Sequence, residues 1–347
     1  MSTEASRAPP RIAVCIGRFQ PVTRRHLFLI EAALAAYDRV IVLCAGAAQP
    51  RDPANAWSLS QRLAMLAACV PDPRCRVLEV ADCWYEDSRW AARVEALVAD
   101  ACAASGVMPA AGQIACLGLE RATPDYYAAL FPHWRALAPD AAAPAYADQL
   151  GPRLLDATPG ARAALLASEV PAAARAGVAA LWDSPVGEAL GIEQAFIADY
   201  RQRWVAAPFP PVFVTVDTLV VWRDQILLVR RGRLPGVGLL ALPGGFLDPG
   251  ESLAEAAARE LAEETGLTLS DPPLAQAVRV FDHPLRSRRG RTITHVWHFD
   301  LSALPAPPQV VGGDDAAEAR WVPLAELTAS TFFEDHYAIL QTMLGLD

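Results

Sequence analysis

The sequence predicts an α/β protein in two parts: a parallel sheet covered by helices, then an α/β/α sandwich with a mixed sheet. Three observations carry this expectation. Short apolar runs alternate with helical segments between residues 11 and 118. A proline-rich stretch, 206–211, then interrupts the chain. Beyond it, two long β-rich runs replace the alternation. A length of 347 residues fits two domains. The expected division is 1–185 for the first domain, 186–211 for a helix and a stiff linker, and 212–347 for the second.

The elements follow in order. Residues 1–10 are polar and contain proline, which suggests a loose segment. Residues 11–16 and 40–45 read as buried strands, with a helix over 27–37 between them. Strand, glycine-containing turn, helix and strand is the opening of a parallel sheet. The alternation continues with a helix over 60–69, a strand over 75–80, a helix over 88–104 and a strand over 113–118. The alanine-rich stretch 141–180 predicts helices, and 194–205 one more. After the linker, strands over 212–222 and 225–231 flank a short Arg223-Asp224 turn. A helix over 252–265, strands over 277–282 and 292–301, and a last helix over 334–344 complete the second part.

Composition narrows the function classes. A hydrophobic share of 53% with 20% charged residues is ample for two packed cores. No apolar run reaches membrane-spanning length and no secretory signal opens the chain, so a cytoplasmic protein without a membrane partner is expected. A net charge of −9 argues against a general nucleic-acid binder. Lysine is absent and all 30 basic residues are arginine, so any basic side-chain contact to phosphate falls to Arg or His. Cys15, Cys44, Cys69, Cys75, Cys83, Cys102 and Cys116 form no C-x-x-C pair and predict reduced thiols rather than a zinc site.

The segment 252–265 carries the chemistry. It is rich in Ala, Leu, Glu and Arg, all good helix formers. Ser252 and Glu255 make a capping box, and Gly266 fits the helix end. Glu260 and Glu264 lie one turn apart, with Glu263 beside both. Two carboxylates about 5 Å apart repel by roughly 3 kcal/mol at an effective dielectric near 20. A hard dication on Glu260, Glu263 and Glu264 relieves this and supplies the charge a diphosphate needs, so Mg2+ or Mn2+ is the expected cofactor. Leu253, Ala257 and Leu261 fall at a different phase and face the core. Arg259 is suited to hold the carboxylates or the preceding loop, and Gly244 and Gly245 let backbone approach metal or diphosphate. Arg286, Arg288, Arg289 and Arg291 cluster around Gly290, either as a solvated hairpin tip or, on the family resemblance that follows, as a grip on diphosphate or terminal ribose.

From Gly245 through Glu251, Arg259, Glu260, Glu263, Glu264 and Gly266 to Leu267 the spacing is G-x5-E-x7-R-E-U-x-E-E-x-G-U, with U aliphatic. This resembles the Nudix box with every specified position filled, at chance odds of roughly 10⁻⁹ per starting point. The resemblance implies a metal-dependent diphosphate hydrolase, with Glu251, Arg259, Glu260, Glu263 and Glu264 as catalytic residues. It also implies a water-activating base outside the box. Asp314, Asp315 and Glu318 read as a loop ahead of Trp321, and Glu318 or Asp315 is the candidate, with Glu263 as the alternative.

The first half resembles a nucleotidyltransferase. Gly17, Arg18, Phe19, Gln20 and Pro21, followed by His26 at a helix start, match the signature G-R-F-Q-P-F-H-x-G-H. Thr23 stands at its first histidine and Arg25 at its glycine. The helix N-terminus and the histidines would hold nucleotide phosphates. Ser58 and Arg62 match a later N-P-F-S-x-x-E-R segment. Trp90 matches a Y-N-D-x-x-W segment whose tryptophan packs on a pyridine ring, with Glu86 at the asparagine. Gly118, Glu120, Arg121 and Ala122 fall on G-H-x-K-D, which leaves Arg121 for the lysine and Ala122 for the aspartate. Residues 125–134 match S-Y-Y-L-x-x-F-P-x-W, and 157–162 a late phosphate motif. Taken together, the chain resembles the bifunctional nicotinamide mononucleotide (NMN) adenylyltransferase/Nudix ADP-ribose pyrophosphatase family. That implies a Rossmann-like nucleotidyltransferase domain before a Nudix sandwich, and ADP-ribose, ATP and NMN as small-molecule partners. A homo-oligomer is compatible with the sequence.

Three functions are open at this stage. One is a two-site enzyme that makes NAD and degrades ADP-ribose. Another is a Nudix hydrolase whose first domain only binds nucleotide or serves as a scaffold. The third is a regulator that binds ADP-ribose or NAD.

Overall fold

The computed structural model describes residues 11–107, 109–110, 112–120, 124–145, 149–269 and 275–346. The segment 1–10, expected to be loose, and Arg121 lie outside the described residues. The chain falls into two compact units, Met1–Gly191 and Ile192–Asp347.

The first unit is a doubly wound parallel sheet. Its strands are β1 (Ile12–Gly17), β2 (Arg39–Ala45), β3 (Cys75–Val80), β4 (Ile114–Gly118) and β5 (Arg135–Leu137). They pair in the order β3-β2-β1-β4-β5, all parallel. The helices between them are α1 (Arg24–Ala36), α2 (Leu59–Cys69), α3 (Asp87–Ala104) and α4 (Pro124–Leu130). Alternation along β1 explains the layering. Ala13 and Cys15 enter one core with Leu29, Ile30 and Ala33 of α1 and Met65 and Leu66 of α2. Ile12, Val14 and Ile16 enter the opposite core with Trp90, Val94 and Val98 of α3 and Tyr127 and Phe131 of α4. The strand order reverses between β1 and β4, and ligands of open α/β sheets bind at the carboxyl ends of strands at such a switch point.

Capping sets where α1 and α2 begin. Thr23 Oγ1 accepts the His26 N–H at 3.3 Å, and Ser58 Oγ accepts the Gln61 N–H at 3.3 Å. Thr23 therefore starts α1 three residues earlier than the apolar pattern predicts, because polar Arg24 and Arg25 sit in its first turn. Strand β5 and helix α4 went unread in the sequence; at 3 and 7 residues they are too short to show a period. The alanine-rich stretch folds as α5 (Leu150–Asp156), α6 (Pro159–Glu169) and α7 (Ala172–Ala179). Helix α8 (Pro185–Gln202) starts well before the expected 194, with proline tolerated in the first turn.

The second unit is built on a mixed sheet. Strands β6 (Val212–Trp222) and β7 (Gln225–Arg231) form as expected, followed by short β8 (Leu240–Ala241) and β9 (Gly244–Phe246). Then come α9 (Leu253–Thr265), β10 (Ala277–Phe281), β11 (Arg291–Asp300), β12 (Ala316–Pro323) and α10 (His336–Leu344). The order is β10-β11-β6-β7-β12, with β11 parallel to β6, β12 antiparallel to β7, and β9 antiparallel to β6. Ala256 and Ala257 of α9 pack on Val216, and Leu261 on Val220, Leu227 and Phe299. On the other side Phe333 packs with Val229, Ala241 and Ala316.

Residues 316–323 are a strand, which corrects the expected loop around Glu318. The Ala-Glu-Ala-Arg run has poor strand propensity, and pairing with β7 overrides it. All seven cysteines are free thiols, and Cys15, Cys44, Cys83, Cys102 and Cys116 are buried. Among the described residues no helix is long and apolar enough to cross a membrane.

One buried histidine makes the second unit acid-sensitive. His336 Nδ1 accepts the Leu242 N–H at 3.0 Å, and burial pushes the His336 pKa down to about 3. The ring is neutral in the fold and takes up a proton on unfolding below about pH 6.5. Its stabilising contribution is therefore present above about pH 6.5 and is lost as pH falls toward 3, at up to about 1.4 kcal/mol per pH unit. Urea unfolding of wild type and His336→Gln between pH 7 and 4 should show a shallower acid limb in the variant. Parallel limbs would contradict this.

Candidate active site

Helix α9 organises the site. The Glu255 carboxylate accepts the Ser252 N–H at 2.7 Å, closing the capping box, and Gly266 ends the helix at φ +69°. With one side of the helix committed to the core, Glu260 and Glu264 emerge at a buried edge, 8% and 6% exposed. Glu264 Oε2 accepts the Gly244 N–H at 3.0 Å. Burial pushes the Glu264 pKa up to about 8; the Gly244 N–H opposes this, and Glu260 and Asp217 reinforce it. Burial also raises Glu260, against the pull of Arg259 and with further help from Glu263 and Asp314.

Arg259 braces this cluster. Its Nε and Nη2 fork the Glu251 carboxylate at 3.0 and 2.7 Å, and its Nη1 reaches Glu260 Oε1 at 2.9 Å and Glu263 Oε2 at 3.0 Å. Nη2 also donates to the Phe246 carbonyl at 3.2 Å, tying β9 to the helix. The Arg259 hydrogen bonds hold Glu251 down at about 2. Both glycines of β9 are sterically required. A Cβ on Gly245 would stand 2.3 Å from Glu260 Oε1, and one on Gly244 would stand 2.2 Å from the Val216 carbonyl oxygen.

The donor set suits a hard dication. Glu260 and Glu264 are buried oxygen donors held toward protonation by desolvation and mutual repulsion, which a bound cation relieves. Among the described residues no three His, Cys, Asp or Glu side chains are drawn together closely enough to share an ion. Glu263 is instead engaged with Arg259, and Glu264 with Gly244.

The arginines sort differently from the sequence expectation. Arg286 is 4% exposed and forks Asp335 with two 3.0 Å bonds, so it is a buried structural cation rather than a free grip. Arg288 is held through its backbone: its N–H donates to Glu334 at 3.3 Å and its carbonyl accepts Arg201 Nε at 2.8 Å. Arg291 is tied to Asp282, by a bond to its carbonyl oxygen and an ion pair at 3.7 Å. One arginine of the expected cluster, Arg289, and one outside it, Arg231, are instead held against aromatic rings. Arg289 lies 5.0 Å from the Phe246 ring and 5.9 Å from the Phe333 ring. Its guanidinium donates Nε to Ser287 Oγ at 3.5 Å and pulls the pKa values of Glu334 and Asp217 down. Arg231 lies 4.1 Å over Phe333, donates Nε to the Pro235 carbonyl at 2.8 Å, and pulls the Glu264 pKa down. Cation–π contact orients both groups without neutralising them.

The acids after Gly313 also separate. Glu318 pairs with Arg230 at 3.1 Å on the edge strand, and Asp315 pairs with Arg233. Neither is placed as the expected base. Asp314, at φ +46°, is the acid of that turn whose charge reaches Glu260. The Gly313 N–H donates to the Glu264 carbonyl at 3.2 Å and fastens the turn to the end of α9. Asp217 went unread in the sequence because it looks like one polar residue in an apolar strand. It is 5% exposed, accepts the Thr294 hydroxyl, and raises the Glu264 pKa.

The signature residues of the first unit gather at the carboxyl end of β1, mostly bonded within the fold. A Cβ on Gly17 would stand 3.2 Å from the Phe19 ring. Phe19 is buried at φ +56°, and Pro21 follows Gln20 through a cis bond. The Gln20 amide pairs with the Trp57 backbone at 2.9 and 3.0 Å. Arg18 Nη2 donates to Asp82 at 2.6 Å. Arg62 donates to the carbonyls of Arg18, Ala45 and Gly46 at 2.7–2.9 Å, which makes it a buried brace. Ser58 is a helix cap. Trp90 is 8% exposed and packs 6.1 Å from Phe131, so it belongs to the core rather than to an open ring platform. Thr23 and His26 cap α1 reciprocally, His26 Nδ1 accepting the Thr23 N–H at 3.1 Å. Arg25 is anchored to the Pro144 carbonyl at 2.7 Å.

A mixed sheet carrying this carboxylate helix, and a parallel sheet with this turn at its switch point, define a Nudix hydrolase joined to a nucleotidyltransferase-like unit. Comparisons agree: a NUDIX domain model matches residues 212–343 and a cytidylyltransferase-like model matches 14–113. A crystal structure of a bifunctional NMN adenylyltransferase/ADP ribose pyrophosphatase from Francisella tularensis, complexed with AMP and a Mn ion, is similar along nearly the whole chain. It covers 97% of this chain and 99% of that one, at a TM-score of 0.83 and 30% identity. An ADP-ribose pyrophosphatase of Methanocaldococcus jannaschii is 37% identical over 128 residues, 37% of this chain and 70% of that protein. A nicotinamide/nicotinic acid mononucleotide adenylyltransferase of Acinetobacter baylyi is 30% identical over 125 residues, 35% of this chain and 62% of that protein. The chain belongs to the family of bifunctional NMN adenylyltransferase/ADP-ribose pyrophosphatases, as the motifs implied.

Proposed function

We propose that the second unit hydrolyses the diphosphate of ADP-ribose, giving AMP and ribose 5-phosphate, with Mg2+ or Mn2+ held by Glu260 and Glu264. The observation that carries this is the pairing of opposites: two buried carboxylates on α9, and the Arg231 guanidinium, held over Phe333 with Arg289 near it, whose charge reaches Glu264. When bound, a divalent cation polarises the phosphate and lowers the pKa of water. The protein supplies the rest. Arg259 and the two glycines fix the carboxylates and β9. Arg231 and Arg289 are the cations we assign to the diphosphate charge. Water oxygen bonds to one phosphorus, the bridging P–O bond breaks, and the water proton passes to a base. Our candidates for that base are Asp314, whose charge reaches Glu260, and Glu263, once it is released from Arg259. The free thiols fit a reducing compartment such as the cytoplasm.

The test is incubation with ADP-ribose and Mg2+. AMP and ribose 5-phosphate should appear and should vanish with a chelator; intact ADP-ribose would refute the assignment. Arg289→Ala separates binding from chemistry. Loss of a charge-assisted contact of about 1.5–3 kcal/mol corresponds to about 10- to 100-fold. That loss should appear mainly in KM for ADP-ribose, and an unchanged KM would remove Arg289 from the site.

For the first unit we propose adenylyl transfer between ATP and NMN as the family's second reaction. It needs alignment of the mononucleotide phosphate on the α-phosphorus and charge stabilisation on the leaving diphosphate, with no protein nucleophile. Thr23 and Arg62 are already engaged within the fold, which favours nucleotide binding with weak turnover. Incubation with ATP, NMN and Mg2+, assayed for NAD, measures this activity.

A further inference from the structure

The turn after β1 presents backbone donors that an internal carboxylate fills. Glu120 follows β4, at the switch point of the sheet. Its Oε1 accepts the Arg18 N–H at 2.7 Å and the Phe19 N–H at 3.0 Å. The left-handed φ of +56° at Phe19 helps turn these successive N–H groups to one side, the geometry of an anion-binding nest. A third donor points to the same oxygen. His26 Nδ1 is occupied as an acceptor by the Thr23 N–H, so the neutral ring carries its proton on Nε2. That Nε2 belongs to a side chain 2% exposed, has no hydrogen-bond partner, and lies 3.7 Å from Glu120 Oε1. The distance is too long for a hydrogen bond. A planar carboxylate thus satisfies two of three converging donors, whereas a tetrahedral phosphate carries enough oxygens for all three.

We propose that Glu120 is a specificity-determining residue of the first unit. Its carboxylate stands in for a nucleotide phosphate at the Arg18–Phe19 turn, and a polyphosphate binds only by displacing it. This rests on the first unit being a nucleotide site. Arg18 does not relieve the competition, because its guanidinium is engaged by Asp82 at 2.6 Å. An incoming polyphosphate therefore meets two carboxylates around its donors, Glu120 and Asp82.

The experiment measures Mg·ATP binding to the full chain by calorimetry, for wild type, Glu120→Gln and Glu120→Ala. ADP-ribose hydrolysis by the other unit serves as an internal control. Both variants should bind Mg·ATP at least ten-fold more tightly than wild type, with ADP-ribose turnover unchanged. Amide resonances of Arg18 and Phe19 should move on Mg·ATP addition at lower concentrations in Glu120→Gln than in wild type. Equal affinity in all three proteins keeps the nucleotide site and overturns the competitor role. Binding by none of them overturns both. If Glu120→Ala loses the cooperative unfolding of the first unit, the isosteric Glu120→Gln and the amide titration decide.

Discussion

Glu264→Gln lowers ADP-ribose turnover by about 10²- to 10³-fold, the usual loss when one preorganised electrostatic contact is removed from a transition state. The fold survives. The amide oxygen of Gln can still accept the Gly244 N–H, and the side chain keeps its volume in the pocket. Metal-free stability moves the other way. The Glu264 pKa is raised to about 8 in the fold, so its protonated form is favoured there. The corresponding stability is complete below the unfolded pKa near 4.3 and is lost as pH rises through about 8. A neutral glutamine does not lose it. Without metal, the variant should therefore melt above wild type at pH 9 and level with it at pH 5. Undiminished turnover, or a lower melting point at pH 9, would contradict the assigned role.

The largest structural loss is expected at Arg286, which the sequence offered as a substrate contact. Its side chain is 3% exposed and that of Asp335 is fully buried. Arg286→Met removes a two-bond fork from a buried carboxylate, a change of about 3–5 kcal/mol. In a unit of this size that lowers the melting temperature by roughly 10 °C. Pairing the change with Asp335→Leu should recover most of the loss, because a buried ion pair replaced by apolar groups of similar volume is often neutral. Urea unfolding of the single and double variants checks this. A single variant within 1 kcal/mol of wild type would show that the fork is not structural.

Local signals explain which parts of the site were legible. Helix α9 could be read whole because its cap, apolar phase, carboxylate spacing and glycine end all lie within fifteen residues. Strands β6 and β7 were equally plain, since their apolar runs are bounded by the Arg223-Asp224 turn. What failed was distant partnership. Arg286 finds Asp335 forty-nine positions away, and Glu318 finds Arg230 eighty-eight positions away. No spacing rule foretells either pair. Arg231 escaped notice because a ring distant in sequence, Phe333, holds it, and Arg289 was read within its cluster but its contacts with the Phe246 and Phe333 rings were not. In the first unit the motifs located the turn correctly but not the use of its residues: Thr23, Ser58 and Arg62 serve the fold, and Glu120 fills the donors. Helix α8 was undercounted because its first turns carry proline and glycine.

Metal binding by α9 is the claim on which the hydrolase rests, and electron paramagnetic resonance of Mn2+ tests it without substrate. Titrated into wild type, the free Mn2+ signal should be suppressed until the site saturates. In a Glu260→Gln/Glu264→Gln double variant that still unfolds cooperatively, the signal should rise from the first addition. Equal suppression in both proteins would contradict the account, because the ion would then be held somewhere other than the carboxylates of this helix.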